Sequence, residues 1–165
     1  MVARGLGVAL FVLGMVASVS VAQGEADEPK FAAAPEPAWA VARTFVEAML
    51  VKVDSKAAAA VCTTPFLTME EDVLQKDVQA YLAEVLEDAE DLGLRIQSIE
   101  ISEKTLGEIW EGYPEEVNKD LICRVNMRQK EGPDEMDDWD EVTLILLRQV
   151  EGQWRVSGLI VLPWF

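Results

Sequence analysis

Two hydrophobic periods divide this chain. Between residues 38 and 93 apolar side chains return every three to four positions, and from Leu94 onward they return every second one. In the first stretch Ala38, Ala42, Phe45, Val46, Met49 and Leu50 form one stripe with Arg43 and Glu47 off it. That spacing predicts an amphipathic helix from Ala38 to Val53, with Pro37 in a first turn that has no use for its missing N–H. Asp54-Ser55 offers an N-cap for a short second helix through the alanines to Cys62, and Pro65 stops it. Thr68-Met69-Glu70-Glu71 has the form of a capping box and predicts a third helix. Its stripe is Leu74, Val78, Tyr81, Leu82, Val85 and Ala89, and Gly93 ends it as a C-terminal cap.

Leu94 and Ile96 share one parity while Ile99 and Ile101 share the other. A β-bulge near Gln97-Ser98 restores all four to one face. The cleanest alternation is Leu121, Cys123, Val125 and Met127 against Ile122, Arg124, Asn126 and Arg128, a half-buried antiparallel strand with Cys123 facing the core. Residues 142–150 form a strongly apolar strand, Glu151-Gly152 a two-residue turn, and Gln153 to Val161 the returning strand. Helices first and four strands afterwards predict an α+β domain, with N-terminal helices packed on a curved antiparallel sheet of four strands or slightly more. The inward strand positions on this reading are Leu121, Cys123, Val125, Met127, Trp154, Val156 and Gly158.

The order of these elements resembles the nuclear transport factor 2-like superfamily, an α+β cone in which helices close over a curved sheet. The likeness rests on the long first helix (AWAVARTFVEAML), the short Ala-rich helix after Asp54, and the closing hairpin VTLILLRQVEGQWRVSGLIV. It spans Ala38 to Val161, and Gly152-Gln153-Trp154-Arg155-Val156 looks like the start of the last strand in bacterial members. The resemblance implies a pocket between the helices and the sheet. Phe45, Met49, Tyr81, Trp110, Tyr113, Val125, Met127 and Trp154 are the side chains expected to line it. Fold alone does not assign an activity, since the superfamily includes isomerases, dehydratases and binders.

Composition adds a location. Residues 1–22 carry one cation, Arg4, then an apolar run, and end Ser20-Val21-Ala22 with small residues where signal peptidase needs them. The expectation is a cleaved signal peptide, hence a periplasmic or secreted protein without stable membrane insertion after cleavage. No cysteine precedes Cys62, so a lipid-modified N-terminus is not expected. Residues 23–37 (QGEADEPKFAAAPEP) read as a flexible acidic, proline-rich leader, and residues 38–165 as the single domain. Asp and Glu number 30 against 14 Lys and Arg, a formal charge of -16, which disfavours nucleic acid and anionic surfaces. In an oxidising compartment Cys62 and Cys123 either pair as a disulfide or stand apart as two buried thiols.

The chain has no histidine. That removes Ser-His-carboxylate triads, Cys-His pairs and ordinary zinc sites, and no phosphate-cradling glycine loop is present. No cofactor or metal is expected. A histidine-free acid–base enzyme of the isomerase or dehydratase type stays open; it requires a desolvated carboxylate beside a tyrosine, Tyr81 or Tyr113. The stretch Glu131 to Glu141 holds seven carboxylates, and Asp134, Asp137, Asp138 and Asp140 offer oxygens to calcium. Their spacing matches no EF-hand loop, so a solvated hairpin connection is preferred, with Trp139 packing back or forming a contact. Thr105 to Lys119 (TLGEIWEGYPEEVNK) is too long for a tight hairpin. It reads as a short element packed on the domain, with a lid or an exposed recognition patch as alternatives. The terminal Leu162-Pro163-Trp164-Phe165 is expected to dock on the domain or on a second subunit. The leading expectation is an exported, non-catalytic binding or interaction module, using the pocket or an exposed sheet face. Its partner is a small apolar ligand or a protein, a homodimer through the sheet included. A purely structural envelope domain is the remaining alternative.

Overall fold

A computed structural model describes residues 29–68, 73–87, 93–129 and 140–161. The element order is β1 (Phe31–Ala33), α1 (Glu36–Leu50), α2 (Ser55–Ala59), β2 (Cys62–Leu67), β3 (Leu74–Gln75), α3 (Val78–Val85), β4 (Leu94–Thr105), α4 (Leu106–Ile109), β5 (Leu121–Gln129), β6 (Asp140–Val150) and β7 (Gln153–Val161). The fold is α+β. N-terminal helices pack on a seven-stranded sheet of order β1-β4-β5-β6-β7-β2-β3. Neighbours run antiparallel except β2 beside β7. Among the described residues no helix is long and apolar enough to cross a membrane.

The periodic stripes become the main core. Ala38, Ala42, Phe45, Val46, Met49 and Leu50 of α1 are buried, as expected from their spacing. They meet Ile99 of β4, Cys123, Val125 and Met127 of β5, Ile145 and Leu147 of β6, and Val156 and Leu159 of β7. Each such large side chain contributes about 1.5–3 kcal/mol relative to exposure. Ile96 pairs with Met127 and Ser98 with Asn126, so Gln97 is the extra residue of a bulge. Leu94, Ile96, Ile99 and Ile101 consequently all reach this core, as their two parities required. Glu151 and Gly152 adopt φ of 51° and 79°, the left-handed pair that a two-residue hairpin turn demands.

Several expectations are corrected. The sheet has seven strands because three short segments join it. Phe31–Ala33, read as leader, pairs with Glu100–Ser102 of β4, and the Arg124 guanidinium lies 4.2 Å from the Phe31 ring centroid. The second helix stops at Ala59, and Cys62–Leu67 forms a strand instead. Its register with β7 is irregular between Cys62 and Leu67, which accommodates Pro65, a residue with no N–H to give the ladder. The third helix begins not at Thr68 but at Asp77, whose carboxylate accepts the Ala80 N–H at 3.1 Å. Thr68 instead donates its hydroxyl to the Val73 carbonyl, and Leu74 belongs to β3. Ala89 of the proposed stripe lies outside the described residues.

The inward assignment of Gly158 also changes. Leu147 pairs with Val156 and Leu146 with Gly158, leaving Ser157 as an extra residue. Parity flips beyond it, so Leu159 faces the helices. Gly158 lies against the outer face, where a Cβ would stand 2.8 Å from Leu67 Cβ.

Cys62 and Cys123 are free thiols, not a disulfide. Cys62 sits on β2 and Cys123 on β5, with β7 and β6 between them. Three strand spacings come to about 14 Å, beyond the roughly 4.4–6.8 Å between Cα atoms that a bridge requires. Burial pushes both thiols up to about 12, against a weaker lowering of Cys62 by Arg155. Protonated at neutral pH, they serve as small apolar groups.

Candidate functional site

The residues expected around a pocket do not surround an empty space. Phe45, Met49 and Val125 are 0 % exposed and Met127 1 %, all within the main core. Tyr81 is half-buried against the same core, its ring 6.3 Å from that of Phe66. Trp154 packs at the edge of that core. Trp110 and Tyr113 lie on the other face of the sheet, their rings 6.4 Å apart. Six of the eight therefore share the helix side, and four of those six are fully interior.

The other face is organised by residues 106–120, which form a strap over the sheet. Its first turn is held by Glu108, whose carboxylate accepts the Thr105 N–H at 2.7 Å and the Thr105 hydroxyl at 2.9 Å. Leu106 and Val117, both fully buried, pack with Leu67, Ile122 and Leu146 in a second core. Gly107 lies so close to Asn118 that a Cβ would stand 3.0 Å from the asparagine Cβ. The Leu106 N–H donates to the Asp120 carbonyl at 2.7 Å, and the Val117 N–H to Pro114 at 3.0 Å. Thr105 to Lys119 is thus a short packed element, the first of its three expected forms.

This strap delivers Asp120 to the start of β5. Asp120 is 1 % exposed, the one buried carboxylate among the described residues. Arg148 of β6 donates Nε to Oδ1 at 2.6 Å and Nη2 to Oδ2 at 2.8 Å. The Ser157 hydroxyl donates to Oδ2 at 2.6 Å, and Arg148 Nη2 also reaches the Glu116 carbonyl. Such a bidentate, charge-assisted arrangement satisfies a carboxylate that would otherwise be costly to bury. Sequence reading missed this cluster. The signal available was Arg148 itself, a lone cation within the apolar run 142–150, which calls for a buried acid.

A cavity of about 600 Å3 opens beside this cluster, where β5 begins and the β6–β7 hairpin turns. Glu116, Lys119, Asp120, Arg148 and Gln149 line its polar side; Leu121, Leu147 and Trp154 line its apolar side. Its volume falls within the roughly 300–1,000 Å3 of small-molecule pockets. Among the described residues Lys119 Nζ and Arg148 Nη1 have no hydrogen-bond or ion-pair partner.

The chemistry of the cluster is that of a clasp. Asp120 bonds to Arg148 and Ser157, not to Tyr81 or Tyr113, so the carboxylate–tyrosine pair required of an acid–base site is not formed there. Ser157 is 0 % exposed and cannot meet a substrate. Thr143, buried opposite Val125, keeps a hydroxyl without a partner, and a lone hydroxyl supplies no acid–base couple. Among the described residues no group of three acidic or cysteine side chains converges on a metal position. Residues 131–139 and 162–165, with Trp139 and the terminal aromatic pair, lie outside the described residues, as does the N-terminal segment 1–22. No family model matches the chain, no curated protein matches its sequence, and no solved structure matches it.

Proposed function

We propose that this chain is an exported, non-catalytic binding module of the nuclear transport factor 2-like type, and that its ligand site is the cavity beside Asp120 and Arg148. The observation that carries the reading is the cavity itself. It sets unpartnered N–H donors of Lys119 and Arg148 against an apolar wall of Leu121, Leu147 and Trp154. Pockets with mostly apolar walls and a few fixed polar groups are the ordinary form of a small-molecule site. The space between helices and sheet, by contrast, holds Phe45, Met49, Val125 and Met127 with 0 to 1 % exposure. The family resemblance draws support from the long α1, the short α2 after Asp54 and the β6–β7 hairpin. Export rests on the n-region, apolar run and Ser20-Val21-Ala22 of the N-terminus.

Chemical-shift mapping on residues 23–165 tests the site, using a fragment set of neutral, cationic and anionic small molecules. Hits are expected to move the Leu121 and Leu147 methyl and Trp154 indole signals together. A set in which no compound moves them overturns the reading. For export, the mass of the chain recovered outside the cytoplasm of a secreting host is expected to lack residues 1–22; recovery with Met1 retained overturns it.

A further inference from the structure

We infer that the ligand head group this cavity selects is a carboxylate or similar small anion carried on an apolar tail. The inference rests on the cavity reading above and concerns the chemistry on its rim. Asp120 spends Oδ1 on Arg148 Nε, and Oδ2 on Arg148 Nη2 and Ser157. The acid and the guanidinium therefore compensate one another within the clasp, and the acid presents no oxygen free of a bond. The lining residues that keep groups for a ligand are Arg148 and Lys119, whose Nη1 and Nζ are donors without a partner, Glu116, whose carboxylate accepts, and Gln149, whose amide does both. With the Arg148 charge compensated by Asp120, a cationic head would have only the exposed Glu116 carboxylate and the Gln149 amide oxygen to accept from it. An anionic head would meet N–H donors of both Arg148 and Lys119, while the opposite charges of exposed Lys119 and Glu116 are both screened by solvent.

Geometry favours the anion further. The clasp fixes the guanidinium through three bonds, so Nη1 is held in place before a ligand arrives. A preorganised donor loses less entropy on binding than a free one. Leu121, Leu147 and Trp154 then receive a tail of aliphatic or aromatic carbon that water would otherwise have to cover. Neither a bare inorganic anion nor a plain hydrocarbon satisfies both walls.

The test is isothermal titration of residues 23–165 with three ligands that share a tail: decanoate, decanol and decylamine. Decanoate is expected to bind about tenfold more tightly than either of the others, the usual effect of a hydrogen bond to a charged group. Lys119→Gln, at an exposed position that leaves the clasp intact, is expected to weaken decanoate about fivefold and leave decanol unchanged. Added salt should weaken decanoate and not decanol. Decanol or decylamine binding as tightly as decanoate overturns the head-group assignment while the cavity reading survives. If none of the three binds, and the fragment set above also fails, the cavity reading itself is overturned. An unaltered decanoate affinity in Lys119→Gln removes Lys119 from the site.

Discussion

On the helix side of the sheet Phe45, Met49, Phe66 and Leu82 bury apolar surface without a charge among them. On the other side the strap is held partly by Leu106 and Val117, and partly by a carboxylate, a guanidinium and a hydroxyl in direct contact. The first kind of contact is non-directional and grows with area, so many side chains share it. The second is directional, so the loss of one member strands the others. That difference explains why the helix side is filled while the end of the sheet beside the clasp keeps a polar-rimmed cavity. A clasp holds its donors at fixed positions, and packing does not need to close over them.

The largest effect is expected where apolar packing is most complete. Phe45→Ala removes a fully buried ring that lies 6.3 Å from Phe66, and a loss of about 3–5 kcal/mol in urea unfolding is expected. A loss below 1 kcal/mol would show that this face is loosely packed. Asp120→Ala comes next, at about 2–3 kcal/mol, because Arg148 loses its partner but keeps some contact with water, its side chain being 25 % exposed. The comparison sharpens with Asp120→Ala combined with Arg148→Met. If the clasp is directional, the double variant recovers part of the loss; simple addition of two losses would contradict it.

Gly158→Ala probes the crossing between the two faces. Its Cβ would meet Leu67 Cβ at 2.8 Å and Leu146 Cδ1 at 3.0 Å, and the backbone-anchored Leu67 atom cannot swing away. A loss of about 1–2 kcal/mol is expected from this overpacking, read as a fall in melting temperature. The smallest effect belongs to Glu108→Ala at the exposed start of the strap. Hydrogen bonds from the Thr105 backbone and hydroxyl lower the Glu108 carboxyl below its ordinary 4.5. Its stabilisation is therefore present above pH 4.5 and lost as pH falls through the lowered folded value. The melting difference between wild type and Glu108→Ala should shrink below pH 4.5; a difference that grows in acid would refute the assignment.

The elements that were legible are those whose burial is apolar and whose turns are local. The α1 stripe, the Gln97 bulge and the Glu151-Gly152 turn each follow from parity or backbone chemistry within a few residues. The short strands β1, β2 and β3 were not, because three, six and two residues carry too little periodicity to betray pairing with distant partners. Ser157 shows the same limit in reverse. Nothing local marks it as an extra residue, yet the register it shifts decides that Leu159 and not Gly158 faces the helices.

The candidate site was less legible than the fold. Arg148 and Ser157 stand 28 and 37 residues from Asp120 in sequence, and no spacing rule relates them. Trp154, expected to line a space between helices and sheet, lines the cavity beside the clasp instead.

By itself the sequence determined the class of the domain, the faces of its long elements and the absence of histidine chemistry. Those follow from periodicity and from side chains that are simply not there. Only the tertiary structure decided that the helix face is filled, that two cysteines stand strands apart, and that a buried acid holds a guanidinium beside a cavity. Each depends on which strands become neighbours, and pairing between distant segments is set by the whole packed sheet.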